Sequence, residues 1–200
     1  MKWNFSLMAL TLLAFTLPAM AEEHRQLGAH EHGHGKLNIA IEGKAVTMEL
    51  EAPGADIAGF EHEAKTPEQK AVLEIANAQL AKPLDLFKIP ASAGCTIKDA
   101  KVAVKSEEHD DDGDDDHDKA GARDADHDAG HEGREHHHSE YHATYSLDCA
   151  APENLSAIGF DYFNAFAGAQ ALTVNVITGK SQSTFEVTRE KPLLDLSGLI

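Results

Sequence analysis

Apolar and polar residues alternate in two neighbouring stretches of the chain, as they do in strands that bury one face. The two stretches are separated by Glu42-Gly43-Lys44, which supplies a glycine for a tight turn. The sequence therefore predicts a β-hairpin. Its alternating apolar positions are Leu37, Ile39 and Ile41 before the turn and Val46, Met48 and Leu50 after it.

Two other stretches have the spacing of amphipathic helices. Thr66-Pro67-Glu68-Gln69 predicts a capping box with proline at the first helical position, and this helix continues to Lys82-Pro83. A second helix is predicted to begin at Pro152. The apolar faces are Val72, Ile75, Ala76 and Leu80 in the first helix, and Leu155, Ile158, Tyr162, Phe163 and Phe166 in the second.

Alternation returns in three further stretches, which predict three more strands. Together with the hairpin and the two helices, these strands predict an α+β domain with an antiparallel β-sheet. The alternating residues are Tyr141, Ala143, Tyr145, Leu147 and Cys149, then Leu172, Val174 and Val176, and finally Phe185 and Val187.

Residues 1–21 have the features of a secretory signal peptide. The apolar run from Leu7 to Leu17 is shorter than the roughly 20 residues that a membrane-spanning helix needs. An Ala-x-Ala cleavage pattern follows, in Ala19-Met20-Ala21. We therefore predict cleavage after Ala21, export of the mature chain, and no insertion of the mature protein into the membrane.

The net charge is strongly negative and unevenly distributed. The chain has 34 acidic and 17 basic residues, which argues against a nucleic acid partner because phosphate binding needs clustered lysine and arginine. Residues 107–142 alone contain ten Asp, five Glu and eight His, so the excess acid is local. We divide the mature chain into a His-rich N-terminal strip (22–35), one globular domain (36–106 and 143–200) and the His/Asp-rich segment (107–142).

The chain contains two cysteines, Cys95 and Cys149. In an oxidising compartment we expect them to form one disulfide, and two free buried thiols are the alternative. If the strand from Cys95 pairs antiparallel with the strand that ends at Cys149, the His/Asp-rich segment becomes a long loop at the far end of the pair. The apolar positions change parity along the first strand, so this pairing requires a β-bulge near Asp99.

Histidines at alternate positions make the N-terminal strip a candidate metal site. His30, His32 and His34 would share one face of an extended segment, with neighbouring side chains on that face roughly 6.8 Å apart. Imidazoles at this spacing can lean onto one cation, with metal–nitrogen distances of about 2.0–2.1 Å. His62 and Glu61 are candidates to complete the site. A flexible polar tail is the alternative for the strip, and an ordinary surface histidine is the alternative for His62.

The His/Asp-rich segment is a candidate for weaker binding of several ions. It has few apolar residues, so we expect it to be disordered without metal and to lose entropy at each capture. Imidazole and carboxylate ligands suit Zn²⁺, Ni²⁺, Co²⁺ or Cu²⁺, and a solvated charge run is the alternative. The candidate ligands are His109, His117, His127, His131, His136, His137, His138 and His142.

Motifs of calcium binding and of catalysis are incomplete. Glu108-x-Asp110-x-Asp112-Gly113 resembles the start of an EF-hand loop, but Lys119 occupies the position of the bidentate glutamate. His131-Glu132-Gly133-Arg134-Glu135 lacks the second histidine of a zincin helix. We therefore expect the protein not to be an enzyme.

Five stretches distributed along the chain carry a resemblance to a known family, and the resemblance as a whole covers nearly all of residues 29–196. They are Ala29-His30-Glu31-His32-Gly33, Gly59-Phe60-Glu61-His62, Leu86-Phe87 leading to Cys95, Tyr145-Ser146-Leu147-Asp148-Cys149, and Ile158 to Phe166 with the strands that follow. The chain resembles the ZrgA-like family of zinc-regulated periplasmic proteins of Gram-negative bacteria. The resemblance implies a periplasmic zinc-binding protein, with a high-affinity zinc ABC importer or its solute-binding protein as partner. It also implies metal-binding roles for His30, His32 and His62.

The residues and the resemblance together predict a periplasmic protein that captures Zn²⁺ and assists high-affinity zinc uptake. A first alternative is a periplasmic buffer for tolerance to Zn²⁺, Ni²⁺ or Cu²⁺. Expression of such a buffer would be induced by excess metal, whereas expression of an uptake component would be induced by zinc starvation. A second alternative is a metal-dependent periplasmic enzyme, which would need an open ligand position beside a general base. A third is an adhesion or scaffold module, which would carry no zinc.

Overall fold

The computed structural model of the chain describes residues 31–106 and 138–200. The predicted signal peptide and most of the His/Asp-rich segment lie outside these described residues. The helices are α1 (Gly54–Ala58), α2 (Pro67–Leu80), α3 (Pro83–Leu86) and α4 (Tyr162–Ala165). The strands are β1 (His34–Glu42), β2 (Ala45–Pro53), β3 (Phe87–Lys88), β4 (Cys95–Ser106), β5 (Ser139–Cys149), β6 (Ala157–Phe160), β7 (Ala171–Thr178), β8 (Gln182–Thr188) and β9 (Leu193–Asp195).

Six strands form the larger sheet, in the order β4-β5-β2-β1-β7-β8. The predicted hairpin is confirmed as β1 and β2, which are joined at Gly43 with a φ of 57°. Neighbouring strands are antiparallel except for β1 and β7, which pair in parallel. The predicted α+β class is therefore confirmed, with one parallel pair in a sheet that was expected to be antiparallel throughout.

A second sheet of three strands, in the order β3-β6-β9, shares one core with the larger sheet. The apolar residues predicted on the inner face of the hairpin, such as Leu37 and Met48, are fully buried. Phe87 of β3 packs against Tyr145 of β5, with ring centroids 6.2 Å apart, and so connects the two sheets. One face of the larger sheet is therefore buried and the other remains polar.

The prediction of one continuous helix from Pro152 is wrong. The stretch divides into a 3₁₀ turn (Pro152–Asn154), β6 and α4. In β6, Ile158 and Phe160 are buried in strand alternation, and the strand pairs with β3 on one side and β9 on the other. Short apolar runs fit either period, and here strand pairing on both sides overrides the helical spacing.

The predicted pairing of β4 with β5 is confirmed. Cys95 lies opposite Cys149 and the two form a disulfide at one end of the pair. The register shifts between Ile97 and Asp99, where the bulge was expected. β5 begins at Ser139, so residues 139–142, which the sequence analysis assigned to the His/Asp-rich segment, lie in the sheet. The division of the chain into domains stays a prediction.

The predicted capping box of α2 is also confirmed. The Thr66 hydroxyl accepts a hydrogen bond from the Gln69 N–H, and the Gln69 side chain accepts one from the Thr66 N–H. The helix buries Ala76 and Leu80, while Val72 and Ile75 are exposed. In the part of the chain that the structure describes, α2 and the other helices are too short or too polar to cross a membrane.

Candidate metal site

Glu61 brings together two histidines that lie far apart in the sequence. Its Oε1 lies 3.1 Å from His32 Nε2, and its Oε2 lies 2.9 Å from His138 Nδ1. The side chain of Glu61 is 12% exposed, whereas those of His32 and His138 are 62% and 42% exposed. The carboxylate is thus largely buried, while both imidazoles remain accessible to solvent.

The topology explains why these three side chains meet. His32 lies in the turn before β1, Glu61 lies shortly after α1, and His138 directly precedes β5. Since β2 pairs with both β1 and β5, the start of β1, the end of β2 and the start of β5 lie side by side. Helix α1 follows β2 and ends at Gly59, whose φ of 82° turns the chain towards Glu61.

The cluster is not a finished metal site. Within residues 31–106 and 138–200, no three side chains of His, Cys, Asp or Glu are arranged so that they could hold a metal ion as they stand. His32 Nε2 is at ion-pair distance from Glu61 Oε1, but this oxygen makes no aligned hydrogen bond with a described residue. A bound cation would therefore require rotation of at least one side chain.

His34 contacts a different part of the fold from His32. Its Nε2 lies 2.8 Å from the Thr173 hydroxyl of β7. Gly33, between the two histidines, has a φ of 86°, which interrupts the extended alternation expected for this segment. The prediction that His32 and His34 share one face is therefore wrong, and a metal-binding role for His34 stays a prediction.

His62 follows Glu61 directly but contacts other residues. Its ring stacks on Phe60 with centroids 4.9 Å apart, and its Nδ1 lies 2.9 Å from the Glu63 carbonyl oxygen. Its Nε2 lies 3.5 Å from the side-chain nitrogen of Gln69, in the capping box of α2. The structure thus places His62 beside the start of α2, and its predicted role as a ligand stays a prediction.

His142 belongs to the sheet rather than to a loop. Its Nε2 hydrogen-bonds the carboxylate of Glu140, which precedes it by two positions in β5. Glu51 of β2 lies opposite His142 in the strand register. His142 therefore lies in an acidic setting on the polar face of the sheet, separate from the contacts of Glu61.

The remaining predicted ligands lie outside the described residues, and their roles stay predictions. They are His30, His109, His117, His127, His131, His136 and His137.

Asp56 is a charged residue of this region that the sequence analysis did not select. It lies in α1, is 4% exposed, and accepts a hydrogen bond of 2.7 Å from the Gly33 N–H. Burial raises the pKa of its carboxyl; the Gly33 hydrogen bond and the nearby His32 lower that pKa, and Glu61 raises it. The available sequence signal was an acid among the small and apolar residues of Gly54–Ala58.

A pocket of about 430 Å³ lies beside the cluster. Its polar lining includes Glu61 and His62, together with Ser106 and Ser139, the last residue of β4 and the first of β5. The His/Asp-rich segment therefore leaves and rejoins the fold next to Glu61. The apolar wall consists of Phe60, Leu73, Val104 and Tyr141.

Comparison with known proteins gives a family match. The family model described as ZrgA family zinc uptake protein matches residues 29–196, which include every described element of the fold. No curated protein matches the chain.

Proposed function

The chain belongs to the ZrgA family of zinc uptake proteins, and from this premise we propose that it is a periplasmic protein, without catalytic activity, that captures Zn²⁺ and assists its high-affinity uptake. The observation that carries this proposal is the contact of one largely buried carboxylate, Glu61, with the two accessible imidazoles of His32 and His138. Zn²⁺ is the cargo of this site rather than a resident cofactor.

The ligand types suit zinc. Zn²⁺ binds imidazole nitrogen and carboxylate oxygen at about 2.0–2.2 Å, and two ligand atoms on a tetrahedral ion then lie about 3.3 Å apart. The nitrogen–oxygen distances at Glu61 are 3.1 and 2.9 Å, and rotation of at least one side chain would let an ion bind between these groups. His30, two positions before His32, and His62, next to Glu61, are the candidates for a further ligand.

The His/Asp-rich segment provides the second part of the proposed mechanism. Its carboxylates attract divalent cations, and its histidines favour transition metals over Ca²⁺ and Mg²⁺. Because the segment joins the fold beside Glu61, an ion released from it is already close to the cluster. A zinc ABC importer, or the solute-binding protein that serves it, is the proposed recipient of the ion.

The proposal is tested by zinc titration of tag-free, metal-stripped protein against a competing chelator. We expect one tight binding event, with weaker events after it, and we expect His32→Ala and His138→Ala each to remove the tight event. His142→Ala is the matched control, because it removes a histidine that pairs with Glu140 of β5 rather than with Glu61. A tight event that survives both of the first two substitutions would contradict the assigned site.

Growth of the producing bacterium tests uptake against buffering. We expect a strain that lacks the protein to grow poorly when a chelator withholds zinc, and to tolerate excess zinc normally. The wild-type chain should restore growth, and a chain with both His32→Ala and His138→Ala should not. A strain that grows normally under starvation but is sensitive to excess zinc would contradict a role in uptake.

A further inference from the structure

The turn that carries His32 is held at Gly33 from two sides. The Gly33 N–H donates to Asp56 Oδ1, at 2.7 Å. The Gly33 carbonyl accepts hydrogen bonds from the N–H groups of Gln170 and Ala171, at 2.8 and 2.9 Å. The φ of 86° at Gly33 lies in the left-handed region that favours glycine. The direction of the chain at His32 is therefore set by Asp56 and by the start of β7.

Asp56 is itself held firmly in place. Gly168 packs so closely against it that a Cβ at Gly168 would lie 2.7 Å from Asp56 Cα. The loop that contains Gly168 is fixed by the guanidinium of Arg189, which donates to the carbonyls of Phe166, Ala167 and Ala169. The backbone of Asp56 therefore packs tightly against this fixed loop.

The other oxygen of Asp56 is buried among the described residues. Asp56 Oδ2 has no hydrogen-bond partner among them, and neither does Glu61 Oε1. Burial is the main influence on the pKa of the Asp56 carboxyl and raises it; among the neighbouring charges, His32 and His34 lower this pKa and Glu61 raises it. Buried carboxylate oxygens that lack partners destabilise a folded protein, so this corner is unfavourable for the metal-free state.

We propose that Asp56 supplies a buried negative charge to the zinc site around Glu61, while its Oδ1 positions the turn of His32. The unpartnered oxygen of Asp56 destabilises the metal-free protein and its charge favours a dication beside Glu61, so that binding offsets a cost built into the fold. This inference rests on the proposed function. It adds to the site a residue that neither the histidine pattern nor the family match selects.

The test is Asp56→Asn, which keeps an oxygen to accept from the Gly33 N–H but removes the charge. We expect two effects of opposite sign at neutral pH: the unfolding midpoint of the metal-free protein rises, and its zinc affinity in a competition titration falls at least tenfold. A residue with a structural role alone would lower the stability when substituted. Asp85→Asn is the matched control, since Asp85 is an exposed acid in the first turn of another short helix, α3.

Three results would overturn the inference. The first is that Asp56→Asn binds zinc with the affinity of the wild type. The second is that the metal-free form of Asp56→Asn is unfolded or less stable than the wild type. The third is that Asp85→Asn loses as much zinc affinity as Asp56→Asn does. If the wild-type protein itself fails to bind zinc, the proposed function fails and the inference fails with it. Wild-type binding together with any of the three results rejects the role of Asp56 alone.

Discussion

At the scale of single residues, Glu61 is the connection on which the candidate site depends. Its two oxygens face histidines from the turn before β1 and from the start of β5. In zinc sites a carboxylate is either a ligand or the acceptor that orients a ligating imidazole, and both roles use its negative charge. Loss of the charge at Glu61 should therefore weaken binding in either case.

We predict that Glu61→Gln lowers the affinity of the tight zinc site by at least about tenfold. The shape of the side chain is preserved, so the loss reports the charge and the ligand oxygen rather than packing. The measurement is a competition titration with a chromophoric chelator of known zinc affinity.

Glu63→Gln is the control for this substitution, because Glu63 is an exposed acid two positions further along the same loop. It should bind zinc as the wild type does. Wild-type affinity in Glu61→Gln, or an equal loss in both variants, would reject Glu61 as the centre of the site.

Residue types could be predicted from the sequence, but their contacts could not. The alternation of histidines in the N-terminal strip identified His32 as a candidate ligand. Glu61 was identified because it is an acid next to His62. The contact of Glu61 with His138 spans 77 positions and depends on how β2 and β5 pair. Asp56 was missed because its contacts with Gly33 and Gly168 form only in the folded chain.

At the scale of elements, the β4–β5 pair has two functionally different ends. The disulfide between Cys95 and Cys149 closes one end, and Ser106 and Ser139 face each other at the other end, next to His138. Stability and zinc binding should therefore respond separately to changes at the two ends.

We predict that replacing both cysteines by alanine lowers stability and leaves the tight zinc site intact. The disulfide closes a loop of 54 positions, which corresponds to about 4 kcal/mol in the chain-entropy description of disulfides. Denaturant unfolding and zinc titration of the same preparation give the two quantities. An affinity that falls in parallel with the stability would mean that the two ends of β5 are coupled.

We also predict that Glu68→Gln reduces the stability contributed by the first turn of α2, in a manner that depends on pH. The backbone N–H of Glu68 and the Thr66 hydroxyl lower the pKa of the Glu68 carboxyl in the folded state. The stabilisation is therefore complete above the unfolded pKa of about 4.5 and is lost as the pH falls through the lower folded value. Glu68→Gln should destabilise the protein at neutral pH and cease to do so in acid.

Denaturant unfolding at neutral and acidic pH checks this prediction. Glu74→Gln is the control, because Glu74 lies further along the same helix and away from its amino-terminal N–H groups. An effect of Glu68→Gln that is the same at both pH values would contradict it.

Elements were predictable wherever local pattern and tertiary pairing agree. The hairpin, the capped helix and the bulge near Asp99 follow from alternation, capping residues and parity, and the structure confirms them. The stretch after Pro152 has helical spacing but lies between β3 and β9, and the strand ladder decides its conformation at β6. The parallel pairing of β1 with β7 has no local signal, because side chains that meet across it, such as His34 and Thr173, are 139 positions apart.

At the scale of the whole molecule, the acidic excess is concentrated in one segment of the chain. The His/Asp-rich segment (107–142) holds 15 of the 34 acidic residues, and its residues before Ser139 connect β4 to β5 beside Glu61. In the proposed mechanism the segment determines how many ions the protein gathers, and the fold determines how tightly one of them is held.

We predict that replacing residues 107–137 with a short Gly/Ser linker lowers the number of zinc ions bound per chain and leaves the tight site within about threefold of its wild-type affinity, as expected for independent sites. The linker variant keeps His138 and all of β5, which a deletion extending to residue 142 would damage. Calorimetric titration and metal analysis give the affinity and the stoichiometry.

A full-length variant separates the histidines of the segment from its acids. It carries asparagine at His109, His117, His127, His131, His136 and His137 and keeps every carboxylate. We expect it to lose zinc ions as the linker variant does. An unchanged stoichiometry in both variants would remove the segment from the mechanism.

The most direct test of the central claim is anomalous diffraction at the zinc edge from crystals of the zinc-loaded protein. The account predicts a strong peak within bonding distance of Glu61 and of at least one of His32 and His138. A fully occupied zinc ion elsewhere on residues 31–106 or 138–200, with the Glu61 cluster empty, would contradict it.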